Sequence, residues 1–210
     1  MEKELLERLL DKAFLQLYNA IENGEGRMVI PERSENSRVS EQELKQMFID
    51  TFLSCEQCKG YSYSVETPTV YNYIFTKPDK THPKPLGYSP NKDGGRRGNI
   101  DVVIFEGGKR VALIEFKANN PGKFEHGKDF IKLAKEPAGE VPILRFFVEV
   151  YTSTDDKTLK KINAKFGSEN EFYSMDINTT YLGYSLSHNG RKCVKLSLKG
   201  KCQNLNQSDV

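Results

Sequence analysis

Residues 99–120 read NIDVVIFEGGKRVALIEFKANN, and this stretch decides how the rest of the chain is arranged. Ile100, Val102 and Ile104 alternate with Val103 and Phe105, and Ala112 and Ile114 alternate with Val111 and Leu113. Both strands are thus apolar on both faces, as strands are in the middle of a sheet covered by helices on either side. Gly107-Gly108 marks the turn between them. Charges inside such strands are costly unless paired or bound to a cation. Asp101 nevertheless opens the first strand, and Glu115 and Lys117 close the second. Side chains alternate along a strand, so Glu115 and Lys117 share a face.

Whether Asp101 shares that face depends on the turn. A two-residue loop over Gly107-Gly108 pairs Glu106 with Lys109 and Asp101 with Ile114, which points Asp101 away from Glu115. A three-residue loop, Glu106-Gly107-Gly108 with Gly108 left-handed and a G1 bulge, pairs Phe105 with Lys109 and Asp101 with Leu113. Asp101 then lies diagonal to Glu115, roughly 7–8 Å away by backbone, and the two carboxylates can converge on one divalent ion. The three-residue loop is the expectation, since Gly108 is the residue type it demands.

Two hard carboxylates suit Mg²⁺, with Mn²⁺ as a substitute, because Mg²⁺ keeps waters in its remaining positions. Such an ion lowers the pKa of a bound water and stabilises charge on a phosphoryl oxygen. Lys117 would orient the attacking water or offset developing charge. An E-x-K on a strand is, taken alone, often only a surface ion pair. The whole pattern is more specific: an acid, an apolar strand, a glycine turn, a second apolar strand and then Glu115-Phe116-Lys117.

Outward from the hairpin, Lys77 to Asn99 is rich in Pro and Gly and holds Lys77, Lys80, Lys84, Lys92, Arg96 and Arg97. It reads as an exposed basic loop beside Asp101. Residues 61–76 read as one or two strands. Their tyrosines Tyr61, Tyr63, Tyr71 and Tyr73 are explained more cheaply by strand alternation than as a base-stacking platform. A helix begins at Ser40, where Ser40 and Glu43 form a capping-box pattern. Residues 3–22 carry a leucine stripe at helical spacing. Downstream, the pattern predicts a helix over 123–136, a buried strand over 143–151, a helix over 155–166 and a hairpin over 179–198 that turns at Asn189-Gly190. The tail QNLNQSDV, residues 203–210, is expected to fray.

The chain has 210 residues, 37% hydrophobic and 29% charged, with a net charge of only +2. Length and composition fit a soluble globular protein that needs no disulfide or metal to fold. Any basic footprint for nucleic acid must be local. The opening MEKELLERLLDK lacks the apolar core of a signal peptide, and no stretch approaches a membrane span, so the expected location is cytoplasmic. Cys55 and Cys58 have C-x-x-C spacing, but Cys193 and Cys202 lack the short spacing usual in a closed zinc site. Reduced thiols near a helix end are the plainer reading.

Ile100-Asp101 through Glu115-Phe116-Lys117 resembles the PD-(D/E)xK nuclease superfamily, which includes restriction endonucleases and archaeal Holliday junction resolvases. Ile100 stands where the motif's name has proline, a position that varies in the superfamily. The resemblance covers residues 40–150. It implies Asp101 and Glu115 as metal ligands, Lys117 as the catalytic lysine and the Phe116 carbonyl as a further ligand. It also implies a metal-directed glutamate on the helix of SEQELKQMF, where Glu41 shares a face with Leu44 and Phe48. A helix after the motif should turn polar residues to phosphates, which brings in Lys123, His126, Lys128 and Lys132. Arg96, Arg97 and Lys128 are the expected nucleic-acid contacts, and His126 is a candidate for acid–base work.

The expected architecture is α/β: a restriction endonuclease-like mixed central β-sheet flanked by helices over 40–200. An N-terminal helix and irregular segment (1–39) precede it and a tail (201–210) follows. The implied function is Mg²⁺-dependent hydrolysis of nucleic-acid phosphodiester bonds, DNA first, in restriction or defence, with RNA or structured DNA close behind. The partner is nucleic acid rather than membrane, and a homodimer is compatible with the resemblance. The alternative is a non-catalytic nucleic-acid-binding or assembly module on the same fold.

Overall fold

The leucine stripe of the N-terminus forms helix α1 (Lys3–Glu22), which buries Leu6, Leu10, Ala13, Phe14 and Leu17. Helix α2 (Glu41–Leu53) starts at the capping box. The Ser40 amide donates to Glu43 Oε2 at 2.9 Å, and the Glu43 amide to Ser40 Oγ at 3.4 Å. The computed structural model describes residues 1–26, 28, 30, 40–75, 86–89, 95–119, 123–139, 142–166, 178–196 and 202–205.

The strands are β1 (Tyr61–Phe75), β2 (Leu86–Ser89), β3 (Arg96–Glu106), β4 (Lys109–Ala118), β5 (Leu144–Tyr151), β6 (Thr179–His188), β7 (Arg191–Leu196) and β8 (Cys202–Asn204). Helix α3 (Lys123–Lys135) lies between β4 and β5, and α4 (Asp156–Phe166) between β5 and β6. They form one eight-stranded sheet in the order β2-β1-β3-β4-β5-β6-β7-β8. Pairing is antiparallel from β2 through β4, parallel across β4–β5–β6, and antiparallel again to β8. The parallel steps are the two connections that contain a helix, as a crossover requires. The protein is therefore α/β, with a mixed sheet flanked by helices and a helix at its N-terminus.

Each face of the sheet has its own core. Val102, Ile104, Ala112, Ile114, Phe116, Phe146, Val148 and Val150 pack under α1 and α2. Val103, Leu113, Phe147 and Tyr151 pack with Phe130 and Leu133 of α3 and Leu159 and Ile162 of α4. The double coverage read from the hairpin sequence is the arrangement found. No helix among the described residues is long and apolar enough to cross a membrane.

Three expectations are corrected. The β3–β4 turn is not a three-residue loop. Glu106 pairs with Lys109, and Gly107 and Gly108 both have positive φ, +56° and +78°. This is a two-residue turn whose twist suits a hairpin. The register then shifts between Ile104 and Phe105, which pair with Ala112 and Arg110, leaving Val111 as the extra residue of a bulge. Next, Arg96 to Asn99 belong to β3 rather than to a loop, and β2 falls inside the same basic segment. Lys77, Lys80, Lys84 and Lys92 lie outside the described residues. Last, the expected frayed tail contributes β8, because β7 offers an unpaired edge that Cys202–Asn204 complete.

Strand β1 is irregular, and α3 repairs it. Pro68 pairs with Asn99 but Asn72 with Arg97, so the residues between them bulge out. The amides of Val70 and Tyr71 would be orphaned there. Both donate to the buried carboxylate of Glu136, at 2.8 and 3.3 Å, which also accepts from Tyr73 Oη and Arg110. A buried amide left without a partner costs about 1–3 kcal/mol, so Glu136 fixes the bulge and ties β1 to the end of α3.

Candidate functional site

The β3–β4 pairing ends at Val102↔Ile114, and one further step in that register sets Asp101 across from Glu115. The bulge at Val111 thus restores the parity that a two-residue turn would otherwise spoil. The two acids come out directly opposite rather than diagonal. The strands open at this point: instead of a ladder bond, Asp101 Oδ2 accepts the Phe116 amide at 2.8 Å. On the other side, Val65↔Val102 and Thr67↔Ile100 bracket Glu66, which places it beside Asp101. Three neighbouring strands therefore present Glu66, Asp101 and Glu115 in one row. Glu66 has φ +48°, a left-handed conformation that costs a non-glycine residue roughly 1–2 kcal/mol.

Lysines from both helical layers meet this row. From α2, Lys45 Nζ lies 2.7 Å from Glu66 Oε1 and 3.5 Å from Asp101 Oδ1. From α3, Lys132 Nζ lies 2.7 Å from Glu115 Oε1 and 2.7 Å from Asp129 Oδ1, and donates to the Asn99 carbonyl at 2.6 Å. Lys117 bridges the layers across the end of the sheet, 2.7 Å from Asp129 Oδ2 on α3 and 3.5 Å from Glu41 Oε2 on α2. Five carboxylates and three ammonium groups share the site, so the cluster carries two negative charges when all are ionised.

The charges are unevenly compensated. Glu115 is 2% exposed. Burial, with Asp129 and Asp101 adding repulsion, pushes its pKa well above the ordinary 4.5 despite Lys132. The Lys132 contact is close, yet Oε1 lacks a directional hydrogen bond among the described residues. For Lys117 and Lys132 burial opposes the charge, but Asp129 with Glu41 and Glu115 outweighs it, and both stay ammonium well above neutral pH. Asp129 is buried too, yet Lys132 and Lys117 hold its pKa below the ordinary range.

The structure brings Asp101, Glu115, Lys117 and Glu41 to one end of the sheet, with Glu41 reaching the group through Lys117. Arg96 and Arg97 are exposed on β3, paired with Tyr73 and Asn72. Arg97 is four residues from Asp101 along the strand, roughly 13 Å. Lys128 is half-buried on α3. Lys132, expected at phosphates, is instead turned inward to Glu115. His126 is buried and its Nε2 sits 2.9 Å from Glu149 Oε1; Glu149 is wholly buried and registers beside Lys117 on β5. Tyr73 is a core residue bonded to Glu136, and Tyr63 packs edge-on against Phe52, so these two act as sheet residues. Cys55 and Cys58 are free thiols on the turn after α2, and no group of three potential metal ligands stands close enough to cage an ion among the described residues.

Four partners were not singled out as members of the acidic site: Lys45, Glu66, Asp129 and, in its inward role, Lys132. Lys45 follows Glu41 by four residues on one helix face, a usable signal. Asp129 and Lys132, three residues apart, likewise share a helix face. Glu66 gave none, since its place depends on the β1 register. No family model, curated protein or solved structure matches this chain.

Proposed function

We propose that the protein is a metal-dependent nuclease of restriction endonuclease-like fold that hydrolyses nucleic-acid phosphodiester bonds, with DNA as the first substrate class. The observation that carries this reading is the opening of β3 and β4 at Asp101 and Glu115, which sets two carboxylates opposite each other with Lys117 one strand step beyond. Its surroundings fit the resemblance: central strands, a preceding helix with Glu41, and a following helix against the same strand ends.

The donor set fits Mg²⁺ or Mn²⁺. The acids exceed the ammonium groups by two charges, and a two-carboxylate site suits an ion that keeps most of its waters. Asp101 and Glu115 would hold it, with the carbonyl of Phe116, the residue after Glu115, as a further ligand. Bound there, the ion lowers the pKa of a water and offers charge to a phosphoryl oxygen. Asp129 and Glu41 raise the pKa of Lys117, so as an ammonium it would orient the water or offset charge. Asp129 and Glu41 hold that ammonium in place. Asp101, already engaged by the Phe116 amide, keeps its carboxylate fixed. Arg96 and Arg97 lie along β3 where a phosphate backbone entering the site would run.

A non-catalytic nucleic-acid-binding module is the second reading, favoured by one observation: Lys132 and Lys45 already partner Glu115 and Asp101. The test is a cleavage panel of plasmid, single-stranded DNA and RNA with Mg²⁺, Mn²⁺ or EDTA, for the wild type and Lys117→Ala. The nuclease reading expects metal-dependent cleavage that Lys117→Ala lowers by at least about 10²-fold. Binding without cleavage on every substrate would leave the module.

A further inference from the structure

We propose that Lys45 is a tethered cation of the acidic site: its ammonium occupies Asp101 when no divalent ion is present, and Glu66 keeps it when Asp101 is taken. This rests on the metal-site reading above. The ammonium is shared unequally, 2.7 Å from Glu66 Oε1 and 3.5 Å from Asp101 Oδ1. It is thus already held mainly by the carboxylate that the metal reading does not use. A small rotation about the lysine stem would break the longer contact and leave the shorter one.

Three features favour this over a merely structural ion pair. Lys45 is 7% exposed, and an ammonium that deep cannot lose Asp101 without a second anion to hold it. Glu66 is that anion, held at the surface with its side chain 52% exposed. Its backbone stands in a left-handed conformation that a glutamate rarely adopts. Strain of this kind persists only where the surroundings hold it, and it clusters at working sites.

The consequence is a built-in threshold for metal. A divalent ion at Asp101 must displace one charge contact, and Glu66 sets how hard that is. The test is Mn²⁺ titration calorimetry on the full chain for wild type, Lys45→Met, Glu66→Gln, the double variant and Asp101→Ala. Lys45→Met keeps the length and fills the same space. It should tighten Mn²⁺ binding about tenfold, as expected for removing a nearby like charge at intermediate dielectric. Glu66→Gln should weaken binding about tenfold when Lys45 is present, because Lys45 then falls back on Asp101. In the Lys45→Met background its effect should shrink to about threefold or less, and this non-additivity measures the coupling. Unchanged or weaker binding in Lys45→Met, with Asp101→Ala still abolishing it, would overturn the tethered-cation role alone. Equal binding by wild type and Asp101→Ala would instead overturn the metal-site reading. If Lys45→Met does not fold, Glu66→Gln decides: binding as tight as in the wild type would exclude the role.

Discussion

Removing Lys132 should cost the protein stability in a pH-dependent way. Its ammonium touches Glu115, Asp129 and the Asn99 carbonyl, all within 2.7 Å, and is 7% exposed by side chain. Lys132→Met fills the space but leaves Glu115 buried without the cation that touches it. Breaking a buried pair from one side costs about 3–5 kcal/mol. In a chain of this size that is roughly 6–20 °C in Tm. Glu115 can escape part of the cost by taking a proton. Its folded pKa is already raised above 4.5, so the folded state binds the proton more tightly than the unfolded one. Stability from this group is present at low pH and is lost as pH rises through the folded value, and loss of Lys132 moves that value higher. Asp129 works in the same direction: Lys132 helps to depress its pKa below 3.8, so the stability it contributes above that pH shrinks in the variant. The deficit against wild type should therefore widen as pH rises past the wild type's raised Glu115 value, by at most about 1.4 kcal/mol per pH unit. Urea unfolding at pH 5, 6, 7 and 8 reads this directly, and adding Glu115→Gln to Lys132→Met should recover much of the loss at pH 8. A deficit under about 1 kcal/mol at pH 8, or one equal at pH 5 and pH 8, would refute the account.

Glu136→Gln should destabilise by about 3 kcal/mol, since one amide oxygen cannot serve two backbone amides, Tyr73 and Arg110 together; a thermal melt shifted by less than 2 °C would show that the bulge of β1 holds itself. Gly108→Val should cost about 1–2 kcal/mol from the left-handed backbone alone, because a Cβ at Gly108 meets nothing within 4 Å; an unchanged Tm would mean the turn rearranges. Removing Arg96 and Arg97 together should lower the log–log salt slope of duplex DNA binding by about 2, measured on Lys117→Ala protein. The loss should be similar across sequences, since phosphate contacts position without reading bases, and an unchanged slope would place the arginines away from the substrate.

The sheet and its double coverage were legible because Val102–Phe105 and Val111–Ile114 are apolar at every position, which only a central strand tolerates. The meeting of Asp101 with Glu115 was legible by parity, but for a different local reason. A two-residue turn with a bulge at Val111 and a three-residue loop give registers two residues apart, so both put the two acids on one face. Nothing in the sequence separates them, because Gly107-Gly108 satisfies either turn. The lysines were harder to place. Lys132 and Lys128 look alike as polar residues of a helix, and only the crossing of α3 over β4 decides that Lys132 points at Glu115. Glu66 was illegible, since its position follows from where β1 bulges, which in turn depends on a carboxylate seventy residues away.

That irregularity also bears on how the molecule keeps to itself. Among the described residues, β2 covers only Asn72–Phe75 of β1, so Tyr61–Val70 run along the rim of the sheet, with Tyr63, Val65 and Val70 exposed there. A straight rim of that length and apolarity would invite a strand from another chain to add on. Here the left-handed Glu66, Pro68 with no amide to offer, and the amides of Val70 and Tyr71 already claimed by Glu136 interrupt it every two or three residues. Among the described residues, the rim beyond Val65 is thereby broken into short lengths that template a foreign strand poorly. Straightening β1, by Glu136→Gln or by replacing Pro68, should then show first as association rather than as lost activity.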